Sequence, residues 1–424
     1  MERAWKLEGV PPYTGGELVP ELFFCGTGRG TAPSEECLMH AVKNSTAEEF
    51  LGYCALLERT HFSGVYKNEN SAGIYRGYQK DTITLYTYFT ANEKTVRIIR
   101  DNAGKMPAQL SCESGPEAAD NTALMQFSLY YSAMLPGYSS DCGMMYVIRL
   151  RDNSLIVVDG GAPEQSTEDA VHEFMARLRA LCSKSESDSI TVAAWYCTHP
   201  HDDHYDFFCK LLRMYPDCLR VERLLFNFCS ARAFEEDSSM ALLRERLRLY
   251  CPDAPYIKLH TGESFNLRGA QFEVLATHED LLPQKHSENE YYCGLNATSS
   301  IVKISFDGAS LLLLGDAEEV NGDCLRRIYA ENAPSCTFLQ AAHHGINEVK
   351  NIYSYIKARF VLLPQGRYSM LKRFPDNYDL ICKYYGEKNI YVAGDCTSVF
   401  YVKNGEVQTE FYPTAGYVYD GSEL

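Results

Sequence analysis

Apolar side chains recur at helical spacing from Thr46 to Arg59, where Phe50, Leu51, Cys54, Leu56 and Leu57 interleave with polar residues behind a Thr46-x-x-Glu49 box. That spacing predicts a helix. Beyond it the period drops to two, and the segments around Gly73 to Gly77, Thr82 to Thr90 and Thr95 to Arg100 alternate between polar turns, the pattern of a small antiparallel sheet laid against the helix. Asn102 to Asn121, rich in Gly, Pro, Ser and acidic residues, reads as a linker. The expected organisation is therefore a small N-terminal α+β domain over residues 1–121 and a larger domain over residues 122–424.

In the larger part strands alternate with helices. Met144 to Leu150 and Ser154 to Val158 flank an Asp152-Asn153 turn and read as a hairpin, followed by a helix from Ser166 to Leu181 and a strong strand from Ile190 to Cys197. Tyr205 to Met214 carries Phe207, Phe208, Leu211 and Leu212 on one side with Pro216 just beyond, which predicts a second helix. Asp307-Gly308 joins Ile301–Phe306 to Ser310–Leu314 as a further hairpin. The C-terminal stretch offers a strand at Phe360 to Leu363, a helix at Tyr378 to Tyr385, and strands near Ile390 to Ala393 and Val399 to Lys403.

Composition narrows the classes. With 424 residues, 46% of them hydrophobic and 23% charged, the chain can bury a large core without disulfides or structural metals. Its 40 basic against 56 acidic residues give a net charge of −16, which repels phosphate backbones and anionic lipid, so neither long nucleic acid nor membrane is an expected partner. The 16 cysteines are scattered without a C-x-x-C pair and read as reduced, buried thiols. The first residues, Met1 to Lys6, lack the apolar stretch of a signal peptide, and no apolar run reaches the roughly 18 residues of a membrane span. A cytoplasmic location is the expectation, in which the triplets at Asn44 and Asn296 carry no sugar.

The chemistry concentrates at Thr198-His199-Pro200-His201-Asp202-Asp203-His204, where a buried strand ends. Pro200 biases His199 toward the extended region, where residues two apart point the same way, so His199 and His201 can grip one metal as neutral imidazoles. Asp203 and His204 turn with the incoming helix toward a second point, so one short segment can build two adjacent sites. Imidazole together with carboxylate suits zinc, iron or manganese rather than calcium or magnesium alone.

His199, His201, Asp203 and His204 spell H-x-H-x-D-H, and here the sequence resembles the metallo-β-lactamase fold superfamily. Three other pieces stand in that family's order. Leu155-Ile156-Val157-Val158-Asp159-Gly160-Gly161 is similar to its early strand ending in Asp-Gly, whose aspartate orients the histidine loop. Leu311-Leu312-Leu313-Leu314-Gly315-Asp316 is similar to the strand whose carboxylate bridges both metals, and Ala341-Ala342-His343-His344-Gly345 to the segment bearing the last histidine. The resemblance implies an α+β, αββα sandwich: two mixed sheets face to face, helices outside, metals at one edge. It implies a binuclear hydrolase using a metal-bridging hydroxide. His199, His201, Asp203, His204, Asp316 and His344 would hold two divalent ions, zinc first, with manganese or iron as alternatives. Asp203 and His343 are the residues assigned to catalysis, with His343 read as a group that protonates a leaving atom, as one that stabilises an oxyanion, or as a structural residue.

Many relatives place a further histidine between His204 and Asp316. Here only His260, His278 and His286 stand in that interval, while Leu295-Asn296-Ala297-Thr298-Ser299-Ser300 resembles the branch that holds the metallo-hydrolase domain of competence DNA-uptake proteins and the phosphorylcholine esterases. That branch implies Asn296 behind a first site with fewer protein ligands, His286 remaining an alternative ligand. It also implies a phosphodiester or phosphocholine-like ester as substrate. A lactone, thioester or amide hydrolase and a non-catalytic metal-containing binding protein are the alternatives. The expected partner is a small-molecule ester, and a homodimer is left open. Other features carry less: Gly26-Thr27-Gly28-Arg29-Gly30 reads as a plain loop, His40 and His172 as satisfied or surface histidines, Arg244, Arg246 and Arg248 as a solvated helix face, and Tyr291 and Tyr292 as candidates for pocket contacts.

Overall fold

Thr46 caps the first helix as its sequence requires. Its hydroxyl accepts the Glu49 N–H at 3.2 Å and the Glu49 carboxylate accepts the Thr46 N–H at 2.8 Å, so the helix runs Ala47–Arg59. The computed structural model describes residues 5–27, 36–101, 106, 115–129, 143–163, 166–230, 239–282 and 294–413. Phe50 and Leu57 of the helix pack on Leu85, Val96 and Ile98, one face of a seven-stranded antiparallel sheet. That sheet is wider than the alternating segments foretold. Phe23–Thr27 and Glu36–Lys43 join it ahead of the helix, and Glu36–Lys43 is apolar on both faces: Leu38 and Val42 point to the helix, Cys37, Met39 and Ala41 away from it. A strand buried on both sides shows no alternation to read.

Two further sheets form the rest. In one, Tyr256–Lys258, Leu224–Phe226, Ile190–Tyr196 and Leu155–Asp159 run parallel, and Met145–Arg149, Thr122–Gln126, Cys396–Lys403 and Glu406–Pro413 extend it antiparallel. In the other, the antiparallel set Ser264–Leu267, Ala270–Ala276, Ile301–Phe306 and Ala309–Leu313 continues into parallel Ser335–Gln340, Lys357–Leu363 and Ile390–Val392. Val158, Tyr196 and Leu225 of the first face Phe272, Ile304 and Leu311 of the second across one buried layer. Helices Glu168–Leu181 and Asp206–Met214 cover the first sheet from outside, placing Phe174, Phe207 and Phe208 on Val157 and Trp195. Glu319–Tyr329 and Pro375–Tyr385 cover the second, placing Leu325, Ile328 and Ile381 on Leu312, Leu339 and Val361. The architecture is the αββα sandwich. No described helix is long and apolar enough to cross a membrane, and every described cysteine is a free thiol.

The N-terminal sheet docks on this sandwich through its second face. Tyr86 Oη donates to Thr261 O at 3.0 Å and Tyr88 Oη to Asp280 Oδ1 at 2.9 Å. Lys258 Nζ donates to Cys25 O at 2.7 Å, and buried His260 lies between Asp101 Oδ2 at 2.8 Å and Glu279 Oε1 at 2.9 Å. Most of the expected linker, and all of Gly28 to Gly30, lie outside the described residues; Met106 is described and is buried with Tyr75 and Tyr86 on the docking face. His40 Nε2 accepts the Lys6 N–H at 3.1 Å, and exposed His172 has Nδ1 2.5 Å from Tyr215 Oη. Arg246 departs from the solvated face expected of it: half-buried, it pairs with Asp206 and lies over the Tyr205 ring.

Candidate metal centre

Four strand ends meet at one edge of the sandwich. Asp159 closes strand Leu155–Asp159, Thr198 and His199 follow Ile190–Tyr196, Gly315 and Asp316 follow Ala309–Leu313, and His343 and His344 follow Ser335–Gln340. The turns there are tight. Gly315 sits at φ 55°, and a Cβ on it would stand 2.8 Å from both Ser299 Oγ and Thr198 Cβ, so only glycine lets the Asp316 strand pass so close to the histidine loop.

Asp159 organises that loop. Its carboxylate accepts the Thr198 N–H at 2.8 Å and the Thr198 hydroxyl at 2.9 Å, and takes a hydrogen bond from His204 Nδ1 at 2.9 Å, leaving His204 Nε2 turned inward. On the opposite side Asp316 N–H donates to Ser299 Oγ at 2.9 Å. The fully buried amide of Gln340 accepts the Leu314 and Gly315 N–H groups at 2.7 Å each and returns a hydrogen bond to Gly315 O at 2.9 Å. Gln340 thus ties the Gly315–Asp316 turn to the strand that delivers His343 and His344.

Asp316 is the hinge of the site, its two oxygens facing different histidines. Oδ1 lies 3.1 Å from His204 Nε2 and 3.5 Å from His344 Nε2, and His344 Nε2 is 3.2 Å from Asp203 Oδ2. Oδ2 lies 3.8 Å from His199 Nε2 and 3.6 Å from His343 Nε2. Ligand atoms of Asp203, His204, Asp316 and His344 all fall within 4.8 Å of one another, as do those of His199, His201 and Asp316. All six expected ligands are thereby brought together, in two groups sharing Asp316.

The donor set fits cations. His204 Nε2, Asp316 Oδ1 and His344 Nε2 are buried, and none makes a hydrogen bond, although His204 and Asp316 are 3.1 Å apart. Buried polar atoms without partners cost free energy, and three of them converging with Asp203 are what a divalent ion would satisfy. The electrostatics agree. Burial works to raise the Asp316 pKa, but His204, His344 and His199 outweigh it and hold the carboxyl well below its usual range. Burial likewise disfavours charge on His204, yet Asp316, Asp159 and Asp203 raise its pKa well above normal. The carboxylates gather positive charge at this point.

Asn296 and His343 also reach the site. Asn296 Nδ2 stands 3.3 Å from His343 Nε2, and Asn347 Nδ2 2.6 Å from His343 Nδ1. His260 and His278, from the interval where a further histidine was sought, are elsewhere: His260 bridges Asp101 and Glu279, and His278 Nε2 hydrogen-bonds Cys25 O at 2.9 Å. His286, Tyr291 and Tyr292 lie outside the described residues. Thr198, Ser299, Gln340 and Asn347 were not anticipated. Gln340 left a faint trace, a lone polar residue ending the run Phe338-Leu339 just before Ala341.

The Asp159 geometry predicts that Asp159→Ala weakens metal affinity by about 10- to 100-fold, the usual cost of removing the partner that orients a ligating histidine. Competition against a chromophoric chelator measures it, and unchanged affinity would remove Asp159 from that role.

No protein-family model matches the chain, and no curated protein matches it. Solved structures do. The diiron β-hydroxylase CmlA from Streptomyces venezuelae matches at 12% identity with a TM-score of 0.38, covering 70% of this chain and 55% of that one, so the chain spans about half the length of that protein. Tm1679, titled a metal-dependent hydrolase of the β-lactamase superfamily, matches at 10% identity and a TM-score of 0.35, covering 68% of this chain and 98% of that one. Zinc-bound PqqB from Methylobacterium extorquens matches at 10% identity and a TM-score of 0.33, covering 59% and 76%.

Proposed function

We propose that the chain is a binuclear metal-dependent hydrolase acting on a phosphodiester or phosphocholine-like ester in the cytoplasm. One observation carries the reading: Asp316 presents one oxygen to a buried group containing His204, His344 and Asp203 and the other to His199 and His201, with the inward nitrogens and oxygen of the first group lacking any hydrogen bond. A pair of divalent ions held there would acidify a water toward neutrality and polarise the scissile group's oxygen. The protein's own part is positional. Asp159 and Thr198 fix the histidine loop, Ser299 and Gln340 fix the Asp316 turn, and Asp203, with 26% of its side chain exposed, is the member of its group that solvent reaches. The net charge of −16 supports a small ester over a nucleic-acid polymer.

A substrate panel tests the proposal on full-length protein reconstituted in turn with zinc, manganese and iron. Bis(p-nitrophenyl) phosphate and p-nitrophenylphosphorylcholine are expected to turn over at least about tenfold faster than p-nitrophenyl acetate, a γ-lactone or a thioester, a difference of about 1.4 kcal/mol in activation free energy. Faster lactone or thioester turnover would transfer the site to those substrates. Inertness of metal-replete protein toward all of them would remove the hydrolase reading.

A further inference from the structure

His343 and His344 are consecutive, and both have positive φ, 45° and 53°, an arrangement rare for residues other than glycine and sustained only where the surroundings impose it. Its consequence is visible around Asp316: His344 Nε2 stands 3.5 Å from Oδ1 and His343 Nε2 3.6 Å from Oδ2. The two adjacent rings thus address the two halves of one carboxylate. On the Oδ1 side His344 joins His204 and Asp203, giving four protein groups with Asp316 itself. On the Oδ2 side His199, His201 and Asp316 make three.

We propose that His343 is the fourth protein ligand of the first metal, the one addressed by His199 and His201, taking the place of a histidine that none of the described residues between His204 and Asp316 supplies. The inference rests on the binuclear reading of the site. A pattern seen at two of the four histidines in those groups, though not at His344, whose Nδ1 makes no hydrogen bond, supports it. His204 has Nδ1 on Asp159 at 2.9 Å with Nε2 facing Asp316, and His199 has Nδ1 beside Thr198 Oγ1 at 3.3 Å with Nε2 facing Asp316. His343 repeats it, with Nδ1 held by the Asn347 amide at 2.6 Å and Nε2 toward Asp316. A side-chain amide turned through 180° offers its oxygen instead of its nitrogen, so Asn347 can accept an Nδ1–H and leave the Nε2 lone pair for a metal, the usual arrangement behind a ligating histidine. The 4.8 Å shell joining His199, His201 and Asp316 does not include His343, and Asn296 Nδ2 now stands 3.3 Å from its Nε2. Ligation therefore entails a shift of the ring away from Asn296.

The test counts metal and does not need turnover. Full-length protein is stripped with chelator, dialysed against zinc, and its zinc per chain and stepwise affinities are measured for wild type, His343→Gly and His343→Asp; ¹⁵N imidazole shifts report which nitrogen of His343 is ligated. Glycine tolerates the positive φ without a side chain, and aspartate tolerates it with a replacement ligand. Wild type is expected to hold two zinc ions. His343→Gly should weaken the first site at least about tenfold with the second unchanged, and His343→Asp should recover most of the loss. Two ions at unchanged affinity in His343→Gly, or an Nε2 shift unmoved by zinc, would overturn the proposal while leaving the hydrolase reading intact. Wild-type protein that takes up no zinc, manganese or iron would overturn the binuclear reading itself.

Discussion

Asp316→Asn is expected to release both metals and lower turnover by more than about 100-fold. The lower bound comes from residues that merely support a ligand, whose loss typically costs 10- to 100-fold in affinity or activity. Asp316 is in direct reach of both groups, 3.1 Å from His204 and 3.8 Å from His199, so its charge is lost to two ions at once. The substitution is nearly isosteric in a side chain only 2% exposed, and the backbone bond from Asp316 N–H to Ser299 Oγ survives it. The fold should hold. Metal per chain by plasma mass spectrometry, beside a melting curve recorded in chelator, separates loss of metal from loss of structure. Two ions retained per chain at unchanged affinity would show that Asp316 does not join the two sites, while the two-metal stoichiometry itself would stand.

The ligand loops were legible because each lies directly beyond a strongly apolar strand, and a buried strand that ends in His or Asp announces where its side chain must emerge. The αββα order came from the family resemblance that these strand ends carry, not from the strand pattern itself. What supports the ligands was not legible. Thr198, Ser299 and Asn347 are ordinary loop residues until the fold brings Asp159, Asp316 and His343 to them. The N-terminal sheet was underestimated because Glu36–Lys43 is buried on both faces. Its role could not be read either, since His260 owes its partners to Asp101 in a distant segment and to Glu279 across a strand turn. His260, which stands in the interval where a further ligand was sought, lies buried between two carboxylates instead.

That junction couples the N-terminal sheet to the sandwich through buried polar contacts. A chain beginning at Asn121 is expected to aggregate or to lack cooperative unfolding, because it would strip cover from Lys258, His260, Glu279 and Asp280, all of them buried in the whole protein. In the full chain, His260→Ala leaves Asp101 and Glu279 as buried carboxylates without the cation between them, a loss of about 3–5 kcal/mol of stability. The pH dependence identifies the cause. Burial alone would lower the His260 pKa, but Glu279 and Asp101 bring it from 6.5 up to about 10, so its contribution is complete below pH 6.5 and fades as the pH rises toward 10. Burial opposes charge on Glu279 too, yet His260 and Lys258 lower its pKa from 4.5 to about 2, so its contribution is complete above pH 4.5 and fades as the pH falls toward 2. Burial raises Glu263 from 4.5 to about 8, so it removes stability from the protein as the pH rises from 4.5 to about 8 and no further above that. The gap in urea-unfolding free energy between wild type and His260→Ala should therefore be widest near pH 4.5 to 6.5 and nearly closed by pH 10. A gap independent of pH would mean that His260 holds the junction by packing alone; an N-terminally truncated chain that unfolds cooperatively and binds two metals would mean that the sandwich needs no such junction.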